Sequence, residues 1–305
     1  MKDSTTLKRI IARRRLIDRA FAFFGIMCTL VGLVTLTALL VDLCLDGLGR
    51  ISWQFLTSFP SRFAARAGIL PAWVGTLCVM MVTAVAAVPV GIAAGIYLEE
   101  YAPRTWFTEV LEINIANLAG VPSIIYGLMA LGLFVYLFHF GDSILTAGLT
   151  LGFLVLPVVI VTTRESLRAI PGHIREASYA LGATKWQTVR HHLIPYSMGG
   201  VSTGVIIALS RAIGETAPII TIGALTFIAF LPPAPIQSQA PFVNMKWLMS
   251  PFTVLPIQMF NWVSRPQHDF HANAAAAGLV LIAVTLSMNA VAIALRYRIR
   301  RRIKW

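Results

Sequence analysis

Two opposite charges stand four residues apart in an otherwise apolar run: Arg211 and Glu215, in ALSRAIGETAP. Side chains at that spacing share one helix face, and Gly204 and Ala208 fall on the same stripe. Small residues let another helix approach closely, so the stripe is expected to face protein or a cavity rather than lipid. A charge at the bilayer centre costs about 2.5–3.5 kcal/mol even on the lenient insertion scale, and such residues are kept for function. The planar fork of an arginine matches a tetrahedral oxyanion with two parallel hydrogen bonds. Glu215 would partly neutralise Arg211 in an empty path, which keeps attraction weak enough for release. Ser210 and Thr216 add hydroxyls, and Pro218 is expected to break the helix and expose backbone. A purely structural ion pair would satisfy the same spacing. Glu215 also suggests a basis for choosing between anions. Phosphate at neutral pH keeps a proton to donate to a carboxylate, whereas sulfate has none.

A second irregularity lies upstream. Ala119-Gly120-Val121-Pro122-Ser123 is followed by Tyr126-Gly127 within an apolar block. Proline removes a backbone donor and clashes with the preceding turn. In lipid, freed backbone groups need partners, so such breaks sit beside protein or a water-filled path. One reading is an ordinary proline kink. The other is that Gly120, Pro122 and Gly127 form a gate, with Ser123 and Tyr126 lining the path, as in interrupted transporter helices.

The third constellation is the loop 164–198. Pro171-Gly172 ends one helix, and Glu176-Ala177-Ser178-Tyr179-Ala180-Leu181 forms a short one. Gly182 can take the positive φ that stops it. A new amphipathic stretch begins at Thr184, with Trp186, Val189 and Leu193 at spacings of three and four, and Pro195 closes it. A short stiff helix between two breaks is a good lever: a partner that moves it moves the spans on either side.

Composition says what positions these residues. The chain has 305 residues, 57% hydrophobic and 12% charged, with mean hydropathy +0.75. A soluble domain of this length carries far more charge. Six apolar blocks, 21–43, 74–98, 114–138, 143–163, 199–221 and 275–296, are long enough to span a bilayer. The expectation is an all-α polytopic membrane protein with six transmembrane helices. Its parts are a basic N-terminus (1–20), a first span with its outside loop (21–73), a core (74–296) and a basic C-terminus (297–305). The aromatic residues of the outside loops 44–73 and 232–272 are expected at the membrane interface, the second loop holding short interfacial helices.

The net charge of +12 does not signal nucleic-acid binding. Lys2, Lys8, Arg9, Arg13, Arg14, Arg15 and Arg19 precede the first block, and Arg296, Arg298, Arg300, Arg301, Arg302 and Lys304 follow the last. By the positive-inside rule both ends are cytoplasmic. The connector 99–113 departs from that pattern, with Glu99, Glu100, Glu109 and Glu112 against Arg104 alone. The first block is too long for the apolar region of a signal peptide and is expected to remain as an anchor. Cys28, Cys44 and Cys78 make no disulfide framework, and no Cys/His group has metal spacing.

Glu176, Ala177, Gly182 and Pro195 resemble the EAA loop of ABC importer permeases. Ser178 stands where the motif has a second alanine, His192 where it has isoleucine and Ile194 where it has leucine. The run from Leu209 to Pro218 is similar to the fifth span of the phosphate importer permeases, and Gly120–Gly127 to another of their segments. Pro251-Phe252-Thr253-Val254-Leu255-Pro256-Ile257-Gln258 with Asn261-Trp262 is similar to the PstA branch rather than its paralogue PstC.

The resemblance implies a type I importer permease (MetI-like) fold in a bacterial inner membrane. It implies a heterodimer with a PstC-like permease, two PstB-like ATPase subunits gripping the loop, and a periplasmic PstS-like phosphate-binding protein. The chain has no G-x-x-x-x-G-K-[ST] phosphate loop, so ATP and Mg are expected on the ATPase partner, with no cofactor here and no bond chemistry. Two other readings fit many of the same residues. One is a permease for sulfate, molybdate or phosphonate, and the other is a subunit that signals phosphate supply.

Overall fold

A computed structural model describes residues 2–234 and 244–302, with the side chains of 11–298. Pro235, Gln237, Ser238, Gln239 and Phe242 of the second long loop lie outside the described residues, as do the terminal basic side chains of 2–10 and 299–305.

The apolar blocks form helices, and no strand occurs among the described residues. Helix α1 runs from Lys2 to Gly47 without interruption. At 1.5 Å per residue it is roughly 69 Å long, more than twice the apolar thickness of a bilayer. The basic segment 2–20 is therefore not a separate tail but a continuation of the first span. Helix α2 (Leu70–Ile96) and α5 (Ile144–Arg168) form the centre. The third block instead becomes two helices, α3 (Trp106–Leu118) and α4 (Ser123–Ala130), the second prolonged by a π turn to Leu137. These two meet at 104°, far beyond a proline kink. Next come α6 (Gly172–Ala180), α7 (Lys185–Thr188), α8 (Ile194–Ala212) and the short α9 (Ala217–Thr221). The chain ends with α10 (Leu255–Val263) and α11 (Asp269–Arg302). Five helices are long and apolar enough to cross a membrane, or six with the bent pair counted as one.

Glycines set the spacing of the central helices. Gly91 and Gly95 of α2 lie against Val159 and Thr163 of α5, and Gly148 of α5 lies against Val82. Thr83 Oγ1 crosses between the two helices to donate to the Gly148 carbonyl at 3.1 Å. Gly200 and Gly204 do the same for α8, seated on Ser166 and Thr162 of α5. Helix α11 is held on α8 by Ser210 Oγ at 2.6 Å from Asn289 Oδ1 and by Arg296 Nη1 at 2.5 Å from Thr203 Oγ1.

The described part of the loop 232–272 holds two short helical segments, Lys246–Met249 and α10, and packs into the bundle. Trp247, Phe252, Val254, Leu255 and Trp262 are buried, and Thr76 Oγ1 accepts from the Leu255 amide at 2.9 Å. Gly75 makes room for the Thr253 carbonyl. These aromatic side chains close one end of the bundle, whereas Phe260 stays exposed. The first loop is divided: Trp53 and Phe63 are exposed and Phe55 is buried.

Candidate functional site

The charged pair forms, though not on a continuous helix. Helix α8 stops at Ala212, and Gly214-Glu215-Thr216 is an irregular link before α9. Arg211 Nε still reaches Glu215 Oε1 at 3.2 Å. The pair does not continue the stripe of small residues. That stripe runs Gly204, Ala208, Ala212, all buried, whereas the Arg211 side chain is 48% exposed and Glu215 18%. Packing consumed the alanine face, so the charge turns to the open side of the chain, beside Ile207. Among the described residues the two Nη groups of Arg211 have no acceptor.

Pro218 does not break the helix. It sits in the first turn of α9, where a missing N–H costs nothing because that donor has no helical partner. The break lies just upstream, at Gly214–Thr216. The Ser210 hydroxyl is engaged with Asn289 and the Ile206 carbonyl. The Thr216 hydroxyl stays within the link, 3.4 Å from the Gly214 carbonyl.

In the bent pair, Gly120 and Pro122 do interrupt the chain, and Ser123 opens α4 half-buried. Gly127 serves a different purpose from the one its sequence position suggests. It lies inside α4, where a Cβ would meet the Pro218 Cα at 2.7 Å. Its bareness lets α4 and α9 touch. Tyr126 is buried, and its hydroxyl donates to the Leu118 carbonyl at 2.8 Å. That carbonyl also accepts from the Val121 amide at 3.1 Å, and the added bond from Tyr126 staples the bend. Two irregular segments from distant parts of the chain thus meet where Gly127 lies against Pro218.

The lever has the expected parts with shifted bounds. Helix α6 starts at Gly172, four residues before Glu176, and Gly182 takes φ +80°. Thr184 and Gln187 form a reciprocal capping box for α7. Pro195 does not end this stretch. A π turn at Val189–Leu193 carries the helix into α8 with Pro195 in its first turn. The wider turn accommodates a ring that would clash with an α-helical carbonyl. Ser178 is buried, 2.9 Å from the Thr188 hydroxyl. Val189 and Leu193 pack with Leu167 and Ile170, whereas Trp186 leaves their face and is exposed. Glu176, Ala177, Tyr179, Leu181 and Trp186 are exposed and give the loop a solvent-facing ridge whose one charged member is Glu176.

The acidic connector finds its partners here, which the sequence reading missed. Glu100 pairs with Arg175 at 2.6 Å, Glu112 with Arg164 at 2.6 Å and Glu99 with Arg168 at 3.1 Å. Two loops of opposite charge on one side of a membrane are the signal that would have revealed it.

Known proteins are similar to this chain in sequence and in overall fold. Residues 87–305 match the family described as binding-protein-dependent transport system inner membrane component. The chain is 32% identical over 281 residues to the phosphate transport system permease protein PstA of Xylella fastidiosa (strain Temecula1), covering 90% of this chain and 91% of that one. It is 35% identical over 225 residues to PstA of Mycobacterium leprae, covering 72% and 73%. It is 32% identical over 214 residues to the probable ABC transporter permease YqgI of Bacillus subtilis, covering 70% and 72%. Its fold is similar to a chain of the inward-facing MetNI methionine ABC transporter, with a TM-score of 0.54 at 17% identity over 76% of this chain and 94% of that one. A six-segment helical bundle with an exposed lever and a charged, broken fifth span is thus a multi-pass membrane permease, and the chain belongs to the binding-protein-dependent transport system inner membrane components.

Proposed function

We infer that this chain is the PstA-type permease subunit of an ATP-driven importer for inorganic phosphate. The observation that carries the cargo side is Arg211. Its backbone stands roughly 18 Å along α8 from Gly199, within an apolar span, and only one nitrogen of its guanidinium is engaged by Glu215. An open fork offers two parallel donors to a tetrahedral anion. Glu215 holds the fork in place and weakens net attraction. The relatives named PstA point to the same cargo.

As a family member the chain works with an ATPase and a substrate-binding protein. The finer assignment is a PstC-like second permease, two PstB-like ATPases and a periplasmic PstS-like protein, in the inner membrane with both termini cytoplasmic. ATP and Mg belong to the ATPase, and this chain does no bond chemistry. ATP binding closes the ATPase dimer and pushes α6 through the ridge around Glu176. The spans then open outward to receive the anion, and hydrolysis resets them. Arg211 guides the ion, and the meeting of the two breaks beside Tyr126 and Ser123 supplies the part of the path that changes shape.

Phosphate uptake into vesicles holding the assembled complex tests this, with wild type and Arg211→Gln compared and sulfate as competitor. Loss of uptake in an assembled mutant, with wild type indifferent to sulfate, supports the assignment. Preserved uptake makes Arg211 structural, and sulfate competition reopens the cargo.

A further inference from the structure

The lever moves the spans only if something stiff joins them. We propose that Glu99, Glu100 and Glu112, with Arg164, Arg168 and Arg175, form that joint, and that Arg175 is its centre. This inference rests on the coupling role given to α6 above.

Arg175 belongs to α6, one residue before Glu176 on the ridge offered to the ATPase. Its Nε and Nη2 donate to Glu100 Oε1 at 3.2 and 2.6 Å. Its Nη1 donates to the Ile170 carbonyl at 2.9 Å and its Nη2 to the Leu167 carbonyl at 3.0 Å. One planar group thus ties the lever to the last turn of α5 and to the π turn, Tyr97–Tyr101, that ends the second span. A second arginine continues the chain of contacts. Arg164 of α5 reaches Glu112 of α3 at 2.6 Å and Glu99 at 3.7 Å, while Arg168 reaches Glu99. The Arg175–Glu100 pair thus joins the lever to the second span, a second cluster around Glu99 joins that span to the bent third segment and the fourth span, and the adjacent residues Glu99 and Glu100 connect the two. The bent segment is the one stapled by the bond from Tyr126 to the Leu118 carbonyl.

Exposed ion pairs contribute little, but the central members here are covered. The Glu100 side chain is 6% exposed and Arg164 8%. Screening by salt is weak at such sites, and removing one partner leaves a charge without compensation. Arg175 needs its fork as well as its charge, because a lysine cannot reach two carbonyls and a carboxylate in one plane. Arg168, 54% exposed, is the outer and least important member.

The test uses the full complex in vesicles, with ATP hydrolysis and phosphate uptake measured on the same sample. For Arg175→Lys and Glu100→Ala we expect hydrolysis to continue while uptake per ATP falls about tenfold, as the weakened joint yields under load. For Arg168→Gln, at the exposed outer member, the ratio should fall less than in those two variants. Glu112→Gln reads the Arg164 end and leaves every bond of Arg175 in place, so it serves if the first two variants fail to assemble, and the ratio should fall there too. An unchanged ratio in assembled variants overturns the joint, as does a fall in uptake matched by an equal fall in hydrolysis. A wild-type complex that hydrolyses ATP without moving phosphate overturns the functional assignment instead.

Discussion

At the scale of single residues, neighbours in sequence took unrelated jobs. Ser210 and Arg211 are adjacent, yet one anchors α11 and the other faces the open side. Ser210→Ala should destabilise the chain by about 1 kcal/mol, the usual worth of such a bond, without altering preference between anions. Thermal unfolding in detergent and competition uptake check the two halves. Glu215→Gln should do the reverse, leaving the unfolding midpoint nearly unchanged while narrowing the difference between phosphate and sulfate. An unchanged preference would remove Glu215 from selectivity. Tyr126→Phe loses the bond to the Leu118 carbonyl and should cost about 1 kcal/mol, read by chemical denaturation.

At the scale of elements, the two breaks behave as one. Gly127 of α4 accepts α9 at Pro218 with no room for a methyl group. Gly127→Ala should force the helices apart at a cost of about 1–3 kcal/mol, and it should lower uptake because the irregular segments no longer meet. A wild-type unfolding midpoint and wild-type uptake in this variant would show that the contact is not needed. How far such features can be read from sequence differs by element. Gly182, Thr184 and Gln187 carry local chemistry, so the lever is readable from the chain. The start of α6 at Gly172 and the passage of Pro195 through a π turn depend on how Val189 and Leu193 settle against Leu167 and Ile170, which no local pattern states. Pro122 marked the first break, but not its 104° angle, because the angle is set by what α3 and α4 each pack against.

At the scale of the whole molecule, one side of the bundle is unfinished. Arg211 is half-exposed in an apolar span, and the apolar side chains of Ile207, one turn before it, and of Leu128 are exposed as well. A charge there is not left against lipid, so a second permease subunit should cover this side. Cysteines placed at Ile207 and Leu128 should react with a maleimide in the isolated chain and be protected in the assembled complex. Equal labelling in both would move the subunit contact elsewhere. Helix α1, apolar and exposed from Phe21 to Val41, should show no such contrast where it meets only lipid.

The membrane class, the number of apolar segments, the lever and the charged pair were set by the sequence alone. Each rests on short-range physics: segment length against bilayer thickness, glycine at positive φ, side-chain caps, and the cost of a buried charge. The tertiary structure decided which way those parts face. It turned Arg211 outward because Ala208 and Ala212 pack better against α5. It gave Gly127 a packing role and Tyr126 a stapling role, and it drew Glu99, Glu100 and Glu112 onto arginines more than fifty residues away. Those outcomes depend on competition among distant surfaces for the same space, and that competition is settled only when the helices meet.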